Sequence, residues 1–251
     1  MPAGHFTARG FTLVELLIAL VLAAGITTGT VRLVSAASAS YRAQQNLGAL
    51  QENARFAFEA LRREVAQAGF RPEPWNPAYA LTAVASESAD AYRPRSDLLV
   101  LQRWSRRNCF ENANPINDAD GPPAYHLLEN AFHVTAAGAL SQRCRYGPDA
   151  TRLTTQINGL GLVNDVSGMQ LLFAEDGDQD GNADRWVRAG AWQAEAGVLG
   201  TRIGLLLATP EAMHAPPQPA IPVLDETLDA SPDGRLYRFF ETTVALAGRQ
   251  P

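Results

Sequence analysis

Residues 11–31 read FTLVELLIALVLAAGITTGTV, an almost uninterrupted apolar stretch of 21 residues. Glu15 is the only charged side chain within it. At about 1.5 Å of rise per residue, a helix of this length spans roughly 30 Å, which is the thickness of the hydrocarbon core of a bilayer. The stretch therefore predicts a transmembrane helix near the N-terminus.

The residues before this stretch read MPAGHFTARG and end in Arg9 and Gly10. A secretory signal peptide has a shorter apolar core followed by a small-residue cleavage site, and no such site clearly follows here. Arg9 precedes the apolar stretch, and Arg32 is the only basic residue close behind it. Under the positive-inside rule this weak bias predicts a cytoplasmic N-terminus, with the bulk of the chain across the membrane.

Glu15 needs an explanation, because a carboxylate inside an apolar span is costly to insert. Insertion scales put a charged group at mid-bilayer at about 2.5–3.5 kcal/mol, and the cost is smaller near the edge. One interpretation is a protonated or snorkelling acid close to the interface. The other is a positive partner, and cleavage after Gly10 would create one as the new α-amino group of Phe11.

Glycine, phenylalanine and glutamate at this spacing before an uncharged helix resemble the class III signal of type IV prepilins and pseudopilins. The resemblance implies that a prepilin peptidase cuts between Gly10 and Phe11 and N-methylates Phe11. Residues 1–10 are then a cleaved leader peptide. It also implies that Glu15 pairs with the N-terminus of a neighbouring subunit during assembly.

Beyond the apolar stretch the helical pattern continues and becomes amphipathic. Apolar residues recur at intervals of three and four, as on one face of a helix: Leu47, Leu50, Ala54, Phe58, Leu61, Val65 and Ala68. Gly69 and Pro72 supply stop signals. We therefore expect one helix over about 11–68, with a transmembrane and assembly half (11–34) and an amphipathic half (35–69) that packs on a globular head.

Gly25 and Gly29 mark the weakest stretch of this helix by propensity. Three interpretations stay open at this point. The pair allows close approach between helices, the helix bends or unwinds there, or the glycines are incidental.

After the helix the pattern changes to short β-like runs separated by glycine, proline and aspartate. The predicted strands are 97–104, 131–135, 166–174, 185–188, 201–208 and 236–246. Residues 71–96, 106–128 and 209–232 are predicted to be loops. Because no alternation of strands and helices appears, we expect an α+β fold in which an antiparallel sheet, within a β-rich head at 70–251, lies on the helix.

Cys109 and Cys144 are the only cysteines of the chain. In an exported head, two cysteines most simply form one disulfide, worth about 3–4 kcal/mol on the loop-entropy model. Two buried thiols are the alternative. Neither cysteine belongs to a C-x-x-C motif, so a catalytic redox role is not expected.

An acidic loop is the best candidate for a metal site. Its potential ligands are Asp176, Asp178, Asp180, Asn182 and Asp184. Carboxylates at alternating positions before a glycine match the start of a calcium loop, but Val187 stands where the bidentate acid is expected. The loop is therefore predicted either to bind Ca²⁺ weakly or to be a solvated acidic turn. The chain requires no other cofactor.

Composition and motifs argue against an enzyme or a nucleic-acid binder. The chain of 251 residues carries a net charge of −5, and all 21 basic residues are arginine, which excludes chemistry that depends on lysine. No nucleophile elbow, phosphate loop or zinc-protease motif is present. A small patch of Arg103, Arg106 and Arg107 with Trp104 has the composition of a phosphate or single-strand DNA site, but a solvated strand edge explains it more simply.

More of the chain resembles PilW-type minor pilins of type IV pili. The similarity covers the helix end at 53–70, the acidic loop, and the strands at 202–206 and 235–242. It implies a non-enzymatic pilus subunit in the inner membrane that helps prime assembly and is placed at the tip. Its partners would be the prepilin peptidase, other minor pilins, the major pilin, the assembly platform and the lipid bilayer.

Two other functions remain open from the sequence. A J-type minor pseudopilin of type II secretion shares the same helix and head design. A DNA-uptake receptor or a tethered periplasmic enzyme belongs to a different class, and nothing in the sequence favours either.

Overall fold

The computed structural model describes residues 12–116, 121–193, 197–213 and 216–247. The chain divides into two compact units, Met1–Asn46 and Leu47–Pro251. The first unit contributes the beginning of one long helix. The second contains the end of that helix and the whole sheet.

Helix α1 spans Leu13–Gln67. It is followed by a turn at Gly69, whose φ of 85° is readily adopted only by glycine and whose N–H donates to the carbonyl of Gln102 at 2.8 Å. The predicted helix over 11–68 is confirmed from residue 13 onward.

The glycine-containing stretch of α1 is helical throughout, so the alternative of local unwinding was wrong. Hydroxyl groups of Thr27, Thr28 and Thr30 donate to carbonyls one turn earlier, at 2.8–2.9 Å. These bonds satisfy the polar hydroxyls within the helix, as an apolar environment requires.

A short 3₁₀ helix (Pro77–Tyr79) and eleven strands follow α1 in the described residues. The strands are β1 (Ala89–Arg93), β2 (Ser96–Ser105), β3 (His126–Val134), β4 (Ala139–Gly147), β5 (Thr154–Asn164), β6 (Val166–Glu175), β7 (Arg185–Val187), β8 (Val198–Ala208), β9 (Ile221–Val223), β10 (Glu226–Leu228) and β11 (Tyr237–Ala245).

Nine of these strands form one sheet, in the order β11-β8-β6-β2-β3-β4-β5, with β1 added to β2 and β7 to β6. Strands β9 and β10 form a separate hairpin. All neighbours are antiparallel except β2 and β6, which are parallel at Ser96 and Met169. The prediction of an antiparallel sheet was therefore wrong for this one pair of strands. Because the chain reverses at each of β3, β4, β5 and β6, β6 returns in the direction of β2.

The amphipathic half of α1 packs on this sheet. Leu50, Ala54, Leu61 and Val65 are buried as predicted, and they share one core with strand residues: Leu99, Phe132, Leu171, Phe173, Ile203 and Leu205. Fully burying one such side chain stabilises the fold by about 1.5–3 kcal/mol. The predicted packing of one helical face on the sheet is confirmed.

The sequence missed β1, β4, β5 and the β9–β10 hairpin. Two of these elements lie within 71–96 and 209–232, which were predicted as loops, and that prediction was wrong in these parts. Strand β4 reads ALSQRCRYG, too polar for a core strand, and β5 contains two glycines and is mostly exposed. Both gain their conformation from their neighbours in the sheet and not from their own pattern.

Candidate functional site

The N-terminal end of α1 carries a reciprocal cap. The backbone N–H and the hydroxyl of Thr12 each donate to Glu15 Oε2 at 2.9 Å, and the N–H of Glu15 donates to Thr12 Oγ1 at 3.3 Å. Two N–H groups that lack partners in the first helical turn are thus satisfied. This cap was not predicted, although Thr-x-x-Glu before an apolar run is its sequence signature.

This contact places the Glu15 carboxylate at the N-terminal end of its own helix, where the helix dipole favours negative charge. Gly10 and Phe11, the predicted processing residues, lie outside the described residues. The structure therefore tests neither the cleavage site nor the pairing of Glu15 with a neighbouring subunit.

The beginning of α1 is apolar on all sides. The structure describes one helix that is long and apolar enough to cross a membrane, with a mean hydropathy of 2.0 in its most apolar window and no buried residue there. Leu20 is 58% exposed and Leu33 71%. An exposed apolar surface of this extent is typical of a segment that lipid or other helices surround.

The last turns of α1 are tied to the sheet by a buried polar network. Glu64, which is 9% exposed, accepts from Arg103 at 2.6 Å and from Asn130 Nδ2 at 2.8 Å. Asn130 Oδ1 in turn accepts from Gln142 at 2.9 Å. The network joins the helix to β2, β3 and β4. Its ion pair and hydrogen bonds offset the free-energy cost of burying the Glu64 carboxylate.

The predicted disulfide between Cys109 and Cys144 is present, with Cα atoms 5.9 Å apart. It ties the loop after β2 to the middle of β4. Next to it, the N–H of Cys109 donates to Gln156 Oε1 on β5 at 3.0 Å. The long loop after β2 is thereby held against the edge of the sheet.

The acidic loop between β6 and β7 brings three of its five predicted ligands together. Single carboxylate oxygens of Asp176, Asp178 and Asp184 lie within 4.8 Å of one another. Asp176 is 5% exposed, and its two oxygens also accept the backbone N–H groups of Asp180 and Gly181 at 3.2 and 3.0 Å. The spacing of the three acids differs from the calcium-loop template, which would use Asp180.

Asp180 and Asn182 bind each other instead. The Asp180 carboxylate accepts the backbone N–H of Asn182 at 2.7 Å and its side-chain amide at 3.1 Å. The amide bonds of Asn182 lower the pKa of Asp180. This arrangement is a self-contained Asx turn, so the loop contains both a turn and a group of three carboxylates.

The arginine patch at the end of β2 lies in an open groove of about 860 Å³. Arg103 is engaged by Glu64, and the Arg107 guanidinium donates to the carbonyl of Glu111 at 2.6 Å. Arg106 stacks on the Tyr125 ring, with 4.6 Å from Cζ to the ring centroid. Trp104 is buried. Much of the patch therefore serves the packing of the head, and the prediction of a solvated strand edge was wrong for Arg103 and Trp104.

A buried acid, Asp97, also escaped the sequence analysis. Its two carboxylate oxygens accept the N–H groups of Ala91 on β1 and Leu171 on β6, each at 2.8 Å. It therefore links three strands beside the parallel pairing of β2 and β6. Burial raises the pKa of Asp97 to about 7, against the opposing effect of the two N–H donors. A charged residue at a strand start gives no sequence signal of burial.

Two family profiles match the sequence. Residues 6–25 match the prokaryotic N-terminal methylation motif, and residues 131–248 match the type IV pilus-assembly protein W family, PilW. The first covers the predicted processing site and the second most of the sheet. No curated protein matches the sequence.

Among solved structures, the fold is similar to that of a type IV-like pilin from Thermus thermophilus. The TM-score is 0.52 at 18% sequence identity, over 80% of this chain and 97% of that one. At this identity the likeness concerns the fold alone. In its methylation motif and over much of its head, the chain is therefore similar to type IV pilin-like minor pilins of the PilW family.

Proposed function

We propose that this protein helps to prime the assembly of a type IV pilus in the bacterial inner membrane and then occupies the tip of the filament. The observation that carries the proposal is the exposed apolar surface of α1, together with the methylation motif at its start. The buried part of the helix begins near Leu50, so the preceding part is free to pass from lipid to a bundle of like helices.

The residues at the start of the chain have defined roles in this proposal. A prepilin peptidase cleaves after Gly10 and N-methylates Phe11. Glu15 then exchanges its hydrogen bonds to Thr12 for an ion pair with the N-terminal amine of a neighbouring subunit. In an apolar environment such an ion pair is strong, because few waters screen it.

The head provides lateral contacts to other minor pilins, the major pilin and the assembly platform. Residues 11–34 cross the inner membrane once, with the N-terminus in the cytoplasm and the head in the periplasm. The match to pilin families points to a structural and not an enzymatic role. Binding of nucleic acid is not part of the proposal.

The test is a gene deletion in the source bacterium, complemented with wild type, Gly10→Val or Glu15→Leu. Surface pili are counted by electron microscopy, secreted enzymes are assayed in the medium, and the N-terminus of the accumulated protein is read by mass spectrometry. We expect few pili in the deletion and both variants, with normal secretion. Only Gly10→Val should accumulate as an uncut precursor.

Other outcomes contradict particular parts of this proposal. Normal pili with lost secretion would assign the chain to a type II secretion pseudopilus instead. A mature chain beginning at Phe11 in Gly10→Val would refute the cleavage site. Normal pilus numbers with Glu15→Leu would remove the assembly role of that carboxylate.

A further inference from the structure

A pocket of about 370 Å³ opens at one end of the sheet, where three turns and a loop meet. The turns join β1 to β2, β3 to β4 and β5 to β6, and the loop precedes β11. We call it the turn-end pocket and define it by Arg93, Arg95, Thr135, Ser167, Ser231 and Arg235. It is separate from the acidic loop and from the apolar part of α1.

The charges around this pocket do not balance. Arg235 is paired, with Asp165 at 2.9 Å and Asp233 at 2.8 Å. Within the part of the chain that the structure describes, Arg93 and Arg95 have no carboxylate at salt-bridge distance. In a chain with a net charge of −5, two guanidinium groups without acids at one pocket are an uneven distribution.

Arg95 also carries a buried donor that is not used. One of its terminal nitrogens donates to the carbonyl of Asp229 at 2.6 Å, which fixes the side chain. Its Nε is buried and makes no hydrogen bond to any described residue. Leaving a buried N–H of a charged group without an acceptor is costly.

The backbone at Arg95 is in the left-handed region, with a φ of 70°. Glycine or asparagine adopts this conformation more readily in a turn, and a residue with a long side chain adopts it at some cost. The side chain of Arg95 is therefore held at a strained position in the turn between β1 and β2. Outliers of this kind cluster at binding sites.

The chemistry of the lining is that of an oxyanion site. Guanidinium groups bind carboxylates and phosphates through paired N–H donors, and serine or threonine hydroxyls add further donors. Ser167 and Ser231 line the same pocket as the two unpaired arginines. The volume exceeds that of a small anion, so the pocket has room for part of the molecule that carries the charged group.

We propose that the turn-end pocket binds an oxyanion group, a carboxylate or a phosphate, through Arg93 and Arg95. The proposal does not depend on the pilus function, because it rests on the head alone. Two sources supply this chemistry. One is an acidic side chain of a neighbouring protein, and the other is a soluble phosphate compound.

The experiment is titration calorimetry on the full chain in detergent micelles, in a phosphate-free buffer at fixed ionic strength. The probes are inorganic phosphate and glutarate, which represent the two sources. We expect at least one probe to bind, and the double variant Arg93→Gln/Arg95→Gln to weaken its affinity by about tenfold or more, as expected for the loss of charge-assisted hydrogen bonds.

Arg238→Gln is the control for a single substitution, because it removes one positive charge, as Arg93→Gln does, from an exposed position on β11. Its affinity should stay within about twofold of wild type, since general attraction by one distant charge is screened. If the double variant does not fold, Arg93→Gln alone serves, because Arg93 is exposed and makes no ion pair among the described residues. It should weaken binding by about threefold or more.

The outcomes separate support from refutation. Binding of phosphate alone supports a soluble phosphate compound, binding of glutarate alone supports an acidic side chain, and both support the shared chemistry. Absence of binding by both probes overturns the proposal. An equal loss in Arg238→Gln and in the arginine variants also overturns it, because the attraction would then be diffuse.

Discussion

The two halves of α1 place similar residues in opposite surroundings. Leu20 and Leu33 are more than half exposed, whereas Leu50 and Leu61 are almost fully buried against the sheet. The first half is apolar on every side, and the second is apolar along one stripe only. Both halves are helical because both have helical propensity. The width of the apolar surface determines whether lipid and other helices, or the sheet, surround each half.

The largest difference is expected between two leucine truncations, one in each half of α1. Leu61→Ala removes a fully buried side chain from the core, and we expect the free energy of unfolding of the head to fall by about 2–5 kcal/mol. Leu20→Ala should leave it unchanged. Denaturant unfolding of the full chain in micelles, followed by the signal of the head's tryptophans, measures both. Equal losses of unfolding free energy in the two variants would show that the two halves of α1 do not differ in this way.

The head also differs from the first half of α1 in its covalent structure, because the disulfide lies in the head. Cys109 and Cys144 are separated by 35 positions, and removing the link should destabilise the head by about 3–4 kcal/mol on the loop-entropy model. The variant Cys109→Ser/Cys144→Ser is measured by denaturant unfolding.

The helicity of the first half of α1 in micelles should not change in this variant. The control is wild type under a reducing agent, which should match the double variant. A stability equal to that of oxidised wild type would contradict this prediction.

A third test uses pH, to which the head should respond through Asp97. The pKa of Asp97 is raised to about 7 in the fold, from about 3.9 in an unfolded chain. Between these values the folded chain holds a proton that the unfolded chain has released. Stability should therefore fall as pH rises through this window, by about 1.4 kcal/mol per pH unit, and level off above it.

Asp97→Asn provides the comparison for this test. It is neutral at every pH, so the difference between wild type and variant should shrink or reverse as pH rises from 5 to 8. His126 and His133, whose pKa burial lowers, are present in both proteins and cancel in the difference. A difference that does not vary with pH would contradict the raised pKa. Thermal unfolding at each pH gives the measurement.

The smallest effect is expected at the acidic loop, where calcium binding remains a prediction. We expect a weak affinity, in the millimolar range of extracellular sites. Asp178→Asn should abolish binding, because Asp178 belongs to the group of three carboxylates. Asp180→Asn should retain it, because Asp180 is bound to Asn182. Titration calorimetry with CaCl₂ measures the binding. A flat trace for wild type would show that the acidic loop is only a solvated turn.

The sequence predicted the elements whose pattern is local and strong. The apolar run, the stripe through Leu61 and the stop at Gly69 suffice for α1, since each depends on neighbours along the chain. The cysteine pair followed from the small number of cysteines and the expected export. These features required no knowledge of which strands meet.

Features that depend on the meeting of distant strands escaped prediction. The burial of Asp97 requires β1 and β6 to supply N–H groups on both sides. The sequence around Arg93 and Arg95 is that of an ordinary polar turn. The pocket could not be predicted from it, because other turns supply the rest of its lining. The grouping of Asp184 with Asp176 depended on how the loop closes, which a linear template misjudged.

The parallel pairing of β2 and β6 has a consequence for the order of folding. Ser96 and Met169 meet only after the chain has traversed β3, β4 and β5, so the closure entropy of a long loop must be overcome before the centre of the sheet forms. As the chain emerges from its N-terminus, β2 can pair with β1 and β3 before β6 is present. We therefore expect the β2–β5 meander to form early, and the β6–β8–β11 half to join it in the slow step.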